Sequence, residues 1–282
     1  MHKFIVHNQT LELYTESFGS SNDPALILIM GASGSSQMWE DEFCENLARK
    51  KFFVIRYDNR DTGQSTTGKP GELSYTIEDM ADDCLTIALG YHLKSFHLAG
   101  LSLGGMIAQV VALKAPDKIL SLSILSSSAW ADLPNLPGIE PSVMDELAKG
   151  ANLDWTDRKA FTEYFANNLK VQAGGLRHPF DRDHAIKISE KEFDHAKNIQ
   201  SSVNHAQLSG AEKYFDLIAK TKIPTLIIHG SKDPVLPIEH GQALQRLIPS
   251  SKLFILEKGG HEVHPNDFDE IAEIIHANAN RN

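Results

Sequence analysis

The 282-residue sequence has few cysteines and no long apolar run. Its two cysteines, Cys44 and Cys84, cannot form a disulfide framework, and they supply too few thiolates for a structural zinc site. Nowhere do about eighteen apolar residues occur together, as a membrane-spanning helix needs, and the first residues lack the apolar run of a signal peptide. We therefore expect a soluble protein of the reducing cytoplasm, without a bound metal.

The sequence also has fewer basic than acidic residues. The 37 acidic and 27 basic residues give a net charge of −10, which argues against a nucleic-acid surface or an anionic-membrane patch. Hydrophobic residues make up 41% of the chain, enough for the core of one large domain or of a domain with an insertion. We expect a small molecule as the partner, rather than nucleic acid or membrane, and the sequence leaves homo-oligomerisation open.

Short apolar runs alternate with longer amphipathic stretches along the chain. This alternation is typical of a mostly parallel sheet with helices on both faces, and runs that are apolar on both sides of a strand indicate buried strands. Eight strands are predicted, the first two as a hairpin-like start, at residues 4–6, 11–18, 25–30, 52–57, 96–99, 120–125, 224–229 and 252–256. The sequence thus predicts an α/β fold on an eight-stranded sheet.

Apolar side chains at helical spacing predict helices against this sheet. Residues 76–91 carry an apolar stripe that includes Cys84, so we expect a buried thiol there, as also at Cys44. Residues 103–113 are apolar almost all round, which is typical of a central helix covered on several sides. Residues 267–277 form a closing helix. These helices complete an α/β core.

Residues 131–210 interrupt the alternation and contain no convincing strand. Within this segment, apolar residues at steps of three and four predict a helix over residues 190–208. We expect an inserted helical cap that acts as a lid. The core then consists of residues 1–130 and 211–282, and the expected hinges are residues 131–141 and Gly174-Gly175.

The most informative motif is Gly100-Leu101-Ser102-Leu103-Gly104, which follows a predicted strand and opens the central helix. A serine on so sharp a turn exposes its hydroxyl above the sheet, and the flanking glycines avoid collisions with the neighbouring strand and helix. A helix-capping serine is the alternative. The context of buried strand and apolar helix favours Ser102 as a nucleophile.

A serine nucleophile needs a base and an orienting acid, expected downstream in the order acid, then histidine. Asp233 follows the seventh predicted strand and His261 follows the eighth, at the sheet edge where open α/β sheets place their sites. Asp132 is an alternative acid, and His264 is an alternative base that is better placed to cap a helix. The predicted catalytic residues are therefore Ser102, Asp233 and His261.

A tetrahedral oxyanion needs two preorganised N–H donors. Leu103, directly after the nucleophile, supplies one, and Ala32 in the small-residue loop after the third strand is the expected second. That loop lacks the lysine and following helix of a phosphate-binding P-loop. Met38 and Trp39 line either the pocket or the core.

Other polar residues have simpler interpretations. His97 begins a strand, near the opposite edge of the sheet from the site. The histidines of the insertion lack metal-ligand spacing and are expected at the surface or in the pocket: His178, His184, His195 and His205. Four charged residues at the end of the fourth strand and in the following loop look exposed and are expected to fix that loop through ion pairs: Arg56, Asp58, Arg60 and Asp61.

At these residues the chain resembles the α/β-hydrolase superfamily, over roughly residues 1–130 and 212–282. More narrowly, the chain resembles the anthracycline methylesterase group, whose known members cleave methyl esters of aclacinomycin-type polyketides. The resemblance lies in Met30-Gly31-Ala32 with Trp39, in the Arg-Tyr-Asp segment within residues 54–67 and in the pentapeptide around the serine. Many members have His where Met30 stands. The resemblance implies the same assignment as the residues themselves: nucleophile, acid and base at Ser102, Asp233 and His261, and oxyanion donors at Ala32 and Leu103.

The sequence therefore predicts a serine hydrolase that cleaves a carboxylic ester through an acyl-enzyme, without a cofactor. Other reactions share this constellation: perhydrolysis or cofactor-free haloperoxidation, C–C bond hydrolysis, aminopeptidase activity and acyl transfer. A ligand-binding module of the same fold without catalysis is the alternative of a different class.

Overall fold

The computed structural model of the protein describes residues 1–8, 11–174, 176–215 and 217–281. Within them, eight strands form one sheet. The strands are β1 (His2–Asn8), β2 (Leu11–Phe18), β3 (Ala25–Ile29), β4 (Phe53–Tyr57), β5 (Phe96–Leu101), β6 (Ile119–Leu125), β7 (Thr225–Gly230) and β8 (Lys252–Leu256). Their order across the sheet is β1-β2-β4-β3-β5-β6-β7-β8.

The sheet is mostly parallel, as predicted. β2 pairs antiparallel with β1 and β4, and every neighbouring pair from β4 to β8 is parallel. The predicted bounds of β2 and β8 are confirmed, whereas β1 extends two residues beyond the prediction at each end. β1 pairs with β2 from His2 opposite Ser17 to Asn8 opposite Leu11, so backbone pairing rather than side-chain burial sets its length.

Helices cover both faces of this sheet. The helices are α1 (Asp41–Arg49), α2 (Ile77–Gly90), α3 (Leu103–Lys114), α4 (Pro141–Ala148), α5 (Arg158–Gln172), α6 (Arg182–His195), α7 (Ile238–Leu247) and α8 (Phe268–Ala279). Along β3, Ile27 and Ile29 pack with α2 and α3, whereas Leu26 and Leu28 pack with α1 and α8. The α/β class and the core helices are confirmed. Among the described residues, no helix combines the length and the apolarity needed to cross a bilayer.

Both cysteines lie in these two apolar layers. Cys84 is fully buried on α2 and Cys44 on α1, and neither forms a disulfide. Burial raises the pKa of the Cys44 thiol to about 12. Trp39 is also buried, with its ring stacked on Phe43, so it belongs to the core rather than to a pocket wall. Met38 packs at the edge of the same layer.

Between β6 and β7, the described part of residues 131–210 contains helices and no strand. The predicted single helix over residues 190–208 is wrong: α6 ends at His195, and a separate 3₁₀ helix spans Ile199–Gln207. The chain breaks between them because the N–H of Lys197 donates to the carbonyl of Gly63 in the core, 2.8 Å away. Of the two glycines expected at a hinge, Gly175 lies outside the described residues.

Candidate active site

Ser102 lies on the turn between β5 and α3 and has a strained backbone. Its φ of 53° and ψ of −122° lie outside the backbone conformations that residues with a side chain favour. The turn is fixed on both sides, since the Ser102 N–H donates to the Leu125 carbonyl (2.9 Å) and its carbonyl accepts from the Ser127 hydroxyl (2.7 Å). The Ser102 hydroxyl makes no capping hydrogen bond to α3, which removes the capping interpretation.

The two glycines of the motif are required by close backbone contacts. A Cβ on Gly100 would lie 2.2 Å from the carbonyl oxygen of Gly104, and a Cβ on Gly104 would lie 2.1 Å from that of Ile29. Both distances are far below van der Waals contact. The motif is therefore what allows β3, β5 and α3 to meet at this turn.

Asp233 and His261 form a buried hydrogen-bonded pair. The Asp233 carboxylate is 3% exposed and accepts from Nδ1 of His261 at 2.7 Å through Oδ2. Its Oδ1 accepts from the backbone N–H groups of Val235 and Leu236, both at 2.8 Å. Because a carboxylate only accepts, Nδ1 of His261 carries a proton and Nε2 is free to act as a base.

The loop that carries His261 is also held by the end of α5. The His261 N–H donates to the carbonyl of Gln172 at the end of α5, 2.8 Å away. A Cβ on Gly260 would lie 2.1 Å from the carbonyl oxygen of Ala173, so only glycine lets α5 approach this loop. The sequence gives no signal for this contact.

The three predicted residues lie at one edge of the sheet, because each follows the carboxyl end of a parallel strand. Two of them are joined: Asp233 and His261. Among the described residues, no hydrogen bond joins the Ser102 hydroxyl to His261. Catalytic hydrogen bonds are often long before substrate binds, so this geometry is compatible with a nucleophilic serine.

The loop after β3, residues 30–36 and hereafter the β3 loop, passes over Ser102. A Cβ on Gly31 would lie 3.1 Å from Cβ of Ser102 and 3.8 Å from its hydroxyl oxygen. Among the described residues, the N–H of Ala32 has no hydrogen-bond partner. Leu103 is the first residue of α3, where an N–H has no acceptor within the helix. Both expected donors are thus unpaired beside the serine.

The alternative acid and base lie elsewhere in the structure. Asp132 is exposed, and His264 caps the short helix Pro265–Asp267 by accepting from the N–H of Asn266 at 3.1 Å. His97 is buried against the hydroxyl of Ser121, 2.8 Å away, and burial lowers the pKa of His97 to about 4. None of the three contacts Asp233 or His261 among the described residues.

Three of the four charged residues at the end of β4 and after it are buried rather than exposed, and Arg60 is partly buried, which corrects the expectation from sequence. Arg56 is 0% exposed and pairs with Glu16, its Nε lying 2.8 Å from that carboxylate, while Arg60 makes a bidentate pair with Asp83. These pairs confirm the loop-fixing interpretation for the two arginines.

Asp58 and Asp61 are also buried and accept hydrogen bonds from several partners. The donors to them are Ser36, Gln64 and His195 for Asp58, and Gly68, Tyr75 and Asn204 for Asp61.

The expected surface or pocket position is wrong for His205. It is 4% exposed, and both of its ring nitrogens are used: Nδ1 lies 3.0 Å from the N–H nitrogen of Ser33, and Nε2 lies 2.8 Å from the carbonyl of Arg60. Among the described residues, no group of three histidine, cysteine or carboxylate side chains has the geometry to hold a metal.

Comparisons with known proteins agree with this architecture. The family model for the alpha/beta hydrolase fold matches residues 24–268. A rhodomycin D methylesterase of Streptomyces peucetius is 29% identical over 91% of each chain. A protein of Pseudomonas savastanoi that carries the name putative carbamate hydrolase is 28% identical over 86% of this chain and 89% of its own. The solved 2-hydroxy-6-oxo-6-phenylhexa-2,4-dienoate hydrolase of Rhodococcus is 19% identical, with a TM-score of 0.76 over 98% of this chain and 96% of its own.

Proposed function

Because this chain belongs to the α/β-hydrolase fold family, we propose that Ser102, Asp233 and His261 form a catalytic triad that hydrolyses a carboxylic ester of a small molecule. The observation that carries the proposal is the buried hydrogen bond from His261 to Asp233, at the sheet edge where Ser102 occupies a strained turn. The rhodomycin D methylesterase relative supports an ester, rather than another acyl compound, as the substrate class.

The reaction follows from the positions of these groups. Nε2 of His261 takes the proton of the Ser102 hydroxyl as its oxygen attacks the ester carbonyl carbon. The resulting oxyanion accepts hydrogen bonds from the N–H groups of Ala32 and Leu103. His261 then gives its proton to the leaving alcohol, which leaves an acyl-enzyme on Ser102.

Water completes the cycle. His261 takes a proton from a water molecule that attacks the acyl carbonyl, and the acid leaves as the proton returns to the serine oxygen. Throughout, Asp233 keeps the proton of His261 on Nδ1 and stabilises the charged ring. These steps use side chains and backbone donors of this chain alone.

A second part of the proposed enzyme is the segment between β6 and β7. We propose that residues 131–210 form a cap on a core of residues 1–130 and 211–282, because the described elements between β6 and β7 are helical and the end of α5 touches the His261 loop. Hydrogen exchange that is equally slow in the cap and in α3, with and without an ester analogue, would contradict a lid.

The free, buried Cys44 and Cys84 support a reducing cytoplasmic location.

The function is tested by turnover of a substrate panel with Ser102→Ala beside the wild type. We expect an initial burst and steady release of p-nitrophenol from p-nitrophenyl acetate by the wild type, and a loss on the order of 10⁴-fold or more in the variant. The panel also contains methyl esters, a carbamate and an amide, and one assay adds hydrogen peroxide. Comparison of their turnover identifies the preferred substrate class. Near wild-type hydrolysis by Ser102→Ala would refute the assignment, and ligand binding without any turnover would favour a binding module.

A further inference from the structure

The β3 loop is held by a buried carboxyl group from the insertion. Glu192 on α6 is 1% exposed, and both of its oxygens contact Ser35: Oε2 accepts from the N–H at 2.9 Å and Oε1 from the hydroxyl at 2.6 Å. Among the described residues, Glu192 forms no ion pair with a lysine or arginine. Burial raises the pKa of Glu192 to about 7, a shift that its hydrogen bonds to Ser35 oppose. A buried carboxyl group without a cation is costly, so the two bonds to Ser35 are its main compensation.

A second group from the insertion holds the residue directly after Ala32. Ser33 has a φ of 64°, in the left-handed region that a serine seldom adopts. Its N–H donates to Nδ1 of His205, and its hydroxyl donates to the carbonyl of Ser202 at 3.1 Å. Because Nδ1 of His205 accepts from an N–H, it carries no proton, and Nε2 donates to the carbonyl oxygen of Arg60. Burial lowers the pKa of His205, which favours the same neutral ring.

A third contact fixes the end of the loop. The N–H of Ser36 donates to Oδ1 of Asp58 at 2.8 Å, and Oδ2 of Asp58 lies 2.8 Å from Nε2 of His195, again in the insertion. The N–H groups of residues 33, 35 and 36 are thus all bound to buried side chains. The N–H of Ala32 is left without a partner among the described residues.

We propose that Glu192 and His205 are positioning residues that hold the β3 loop so that the N–H of Ala32 faces the oxyanion. The proposal rests on the esterase function proposed above. An oxyanion donor acts only if it is held close to its productive position before the reaction. Neither side chain touches substrate in this account, and each acts through the loop backbone. The insertion thereby contributes to the rate of the chemical step as well as covering the core.

The test compares Glu192→Ala and Glu192→Gln with a control on the same helix. A glutamine can accept from the Ser35 N–H and donate to its hydroxyl oxygen, whereas alanine makes neither contact. Ser189→Ala is the control, because Ser189 is 0% exposed on α6 and its hydroxyl donates to the carbonyl of Ala185 in its own helix. Each variant is assayed for kcat and KM with p-nitrophenyl acetate and for its melting temperature.

We expect Glu192→Ala to lower kcat by about 10- to 100-fold with KM within about twofold, the effect of misplacing a catalytic group by about 1 Å. Glu192→Gln should keep kcat within about threefold of the wild type, and Ser189→Ala should not change it. Affinity for a trifluoromethyl ketone, whose adduct places an oxyanion beside the serine, should fall with kcat in Glu192→Ala.

Two results would overturn the proposal. One is an unchanged kcat in Glu192→Ala, and the other is equal loss in the alanine and glutamine variants in step with melting temperature. If Glu192→Ala does not fold, His205→Phe is assayed instead. Phenylalanine keeps an aromatic ring at this position but removes both hydrogen bonds of His205. The same fall in kcat at constant KM is expected. Wild-type protein that hydrolyses no ester in the panel would instead refute the proposed function, and with it any role for the loop.

Discussion

Replacing Asp233 by asparagine should invert the proton position on His261. Oδ1 of Asp233 faces two backbone N–H groups, from Val235 and Leu236, so the amide oxygen of an asparagine must take that place. Its NH₂ group then takes the place of Oδ2 and donates to Nδ1 of His261. The ring proton is thereby moved to Nε2, where it blocks the base.

The expected cost is large for so small a change. Inverting the tautomer in an established triad lowers kcat by about 10⁴-fold, which corresponds to ~5.5 kcal/mol of transition-state stabilisation. We expect a loss of the same order for Asp233→Asn in steady-state hydrolysis of p-nitrophenyl acetate at pH 7. The melting temperature should change little, because the asparagine keeps all three hydrogen bonds.

The matched control is Asp132→Asn, which changes the exposed alternative acid. Its kcat should equal that of the wild type. An Asp233→Asn variant with kcat within about tenfold of the wild type would refute the reasoning, as would a large loss in Asp132→Asn.

Two further predictions concern the framework of the site. Gly104→Ala should destabilise the fold and abolish turnover, because the new Cβ would lie 2.1 Å from the Ile29 carbonyl; Gly138→Ala, with no atom within 4 Å, is the control, and equal urea midpoints would contradict the close contact. Glu16→Gln should cost at most ~3 kcal/mol at neutral pH. Burial raises the pKa of Glu16, but Arg56 and the hydrogen bonds from Tyr14, Arg56 and Gln37 outweigh it and lower the pKa to about 2. This stabilisation is present above the unfolded pKa of about 4.5 and is lost as pH falls towards 2, so the difference in urea stability between variant and wild type should shrink between pH 5 and pH 2, and a pH-independent difference would contradict it.

The sheet and the turn at Ser102 could be predicted because local rules determine them. The predicted bounds of β2 and β8 match the structure to the residue, and backbone pairing supports them: β8 pairs with β7 from Lys252 to Leu256, and β2 pairs with β1 from Leu11 to Ser17. The glycines at positions 100 and 104 give the turn, because no other residue fits. The expected chain order of nucleophile, acid and histidine then points to Asp233 and His261, and a hydrogen bond joins these two residues in the structure.

The contacts of residues 131–210 could not be predicted because they depend on residues far apart in sequence. Glu192 and Ser35 are 157 positions apart, and nothing in the spacing of either marks the other. The helix predicted over residues 190–208 fails for the same reason, since its apolar spacing continues while Lys197 bonds to Gly63 of the core. The burial of Arg56 could not be predicted either, because charged residues are usually exposed and its pairing with Glu16 and Asp41 involves residues distant in sequence.

The most direct test of the central claim is to locate the activated serine chemically. Purified protein is treated with a fluorophosphonate, and the adduct is mapped by peptide mass spectrometry in the wild type and in Ser102→Ala. We expect one adduct per chain, on the peptide that contains Ser102, and none in the variant. An adduct on another residue, or no adduct in a wild-type protein that hydrolyses esters, would contradict it.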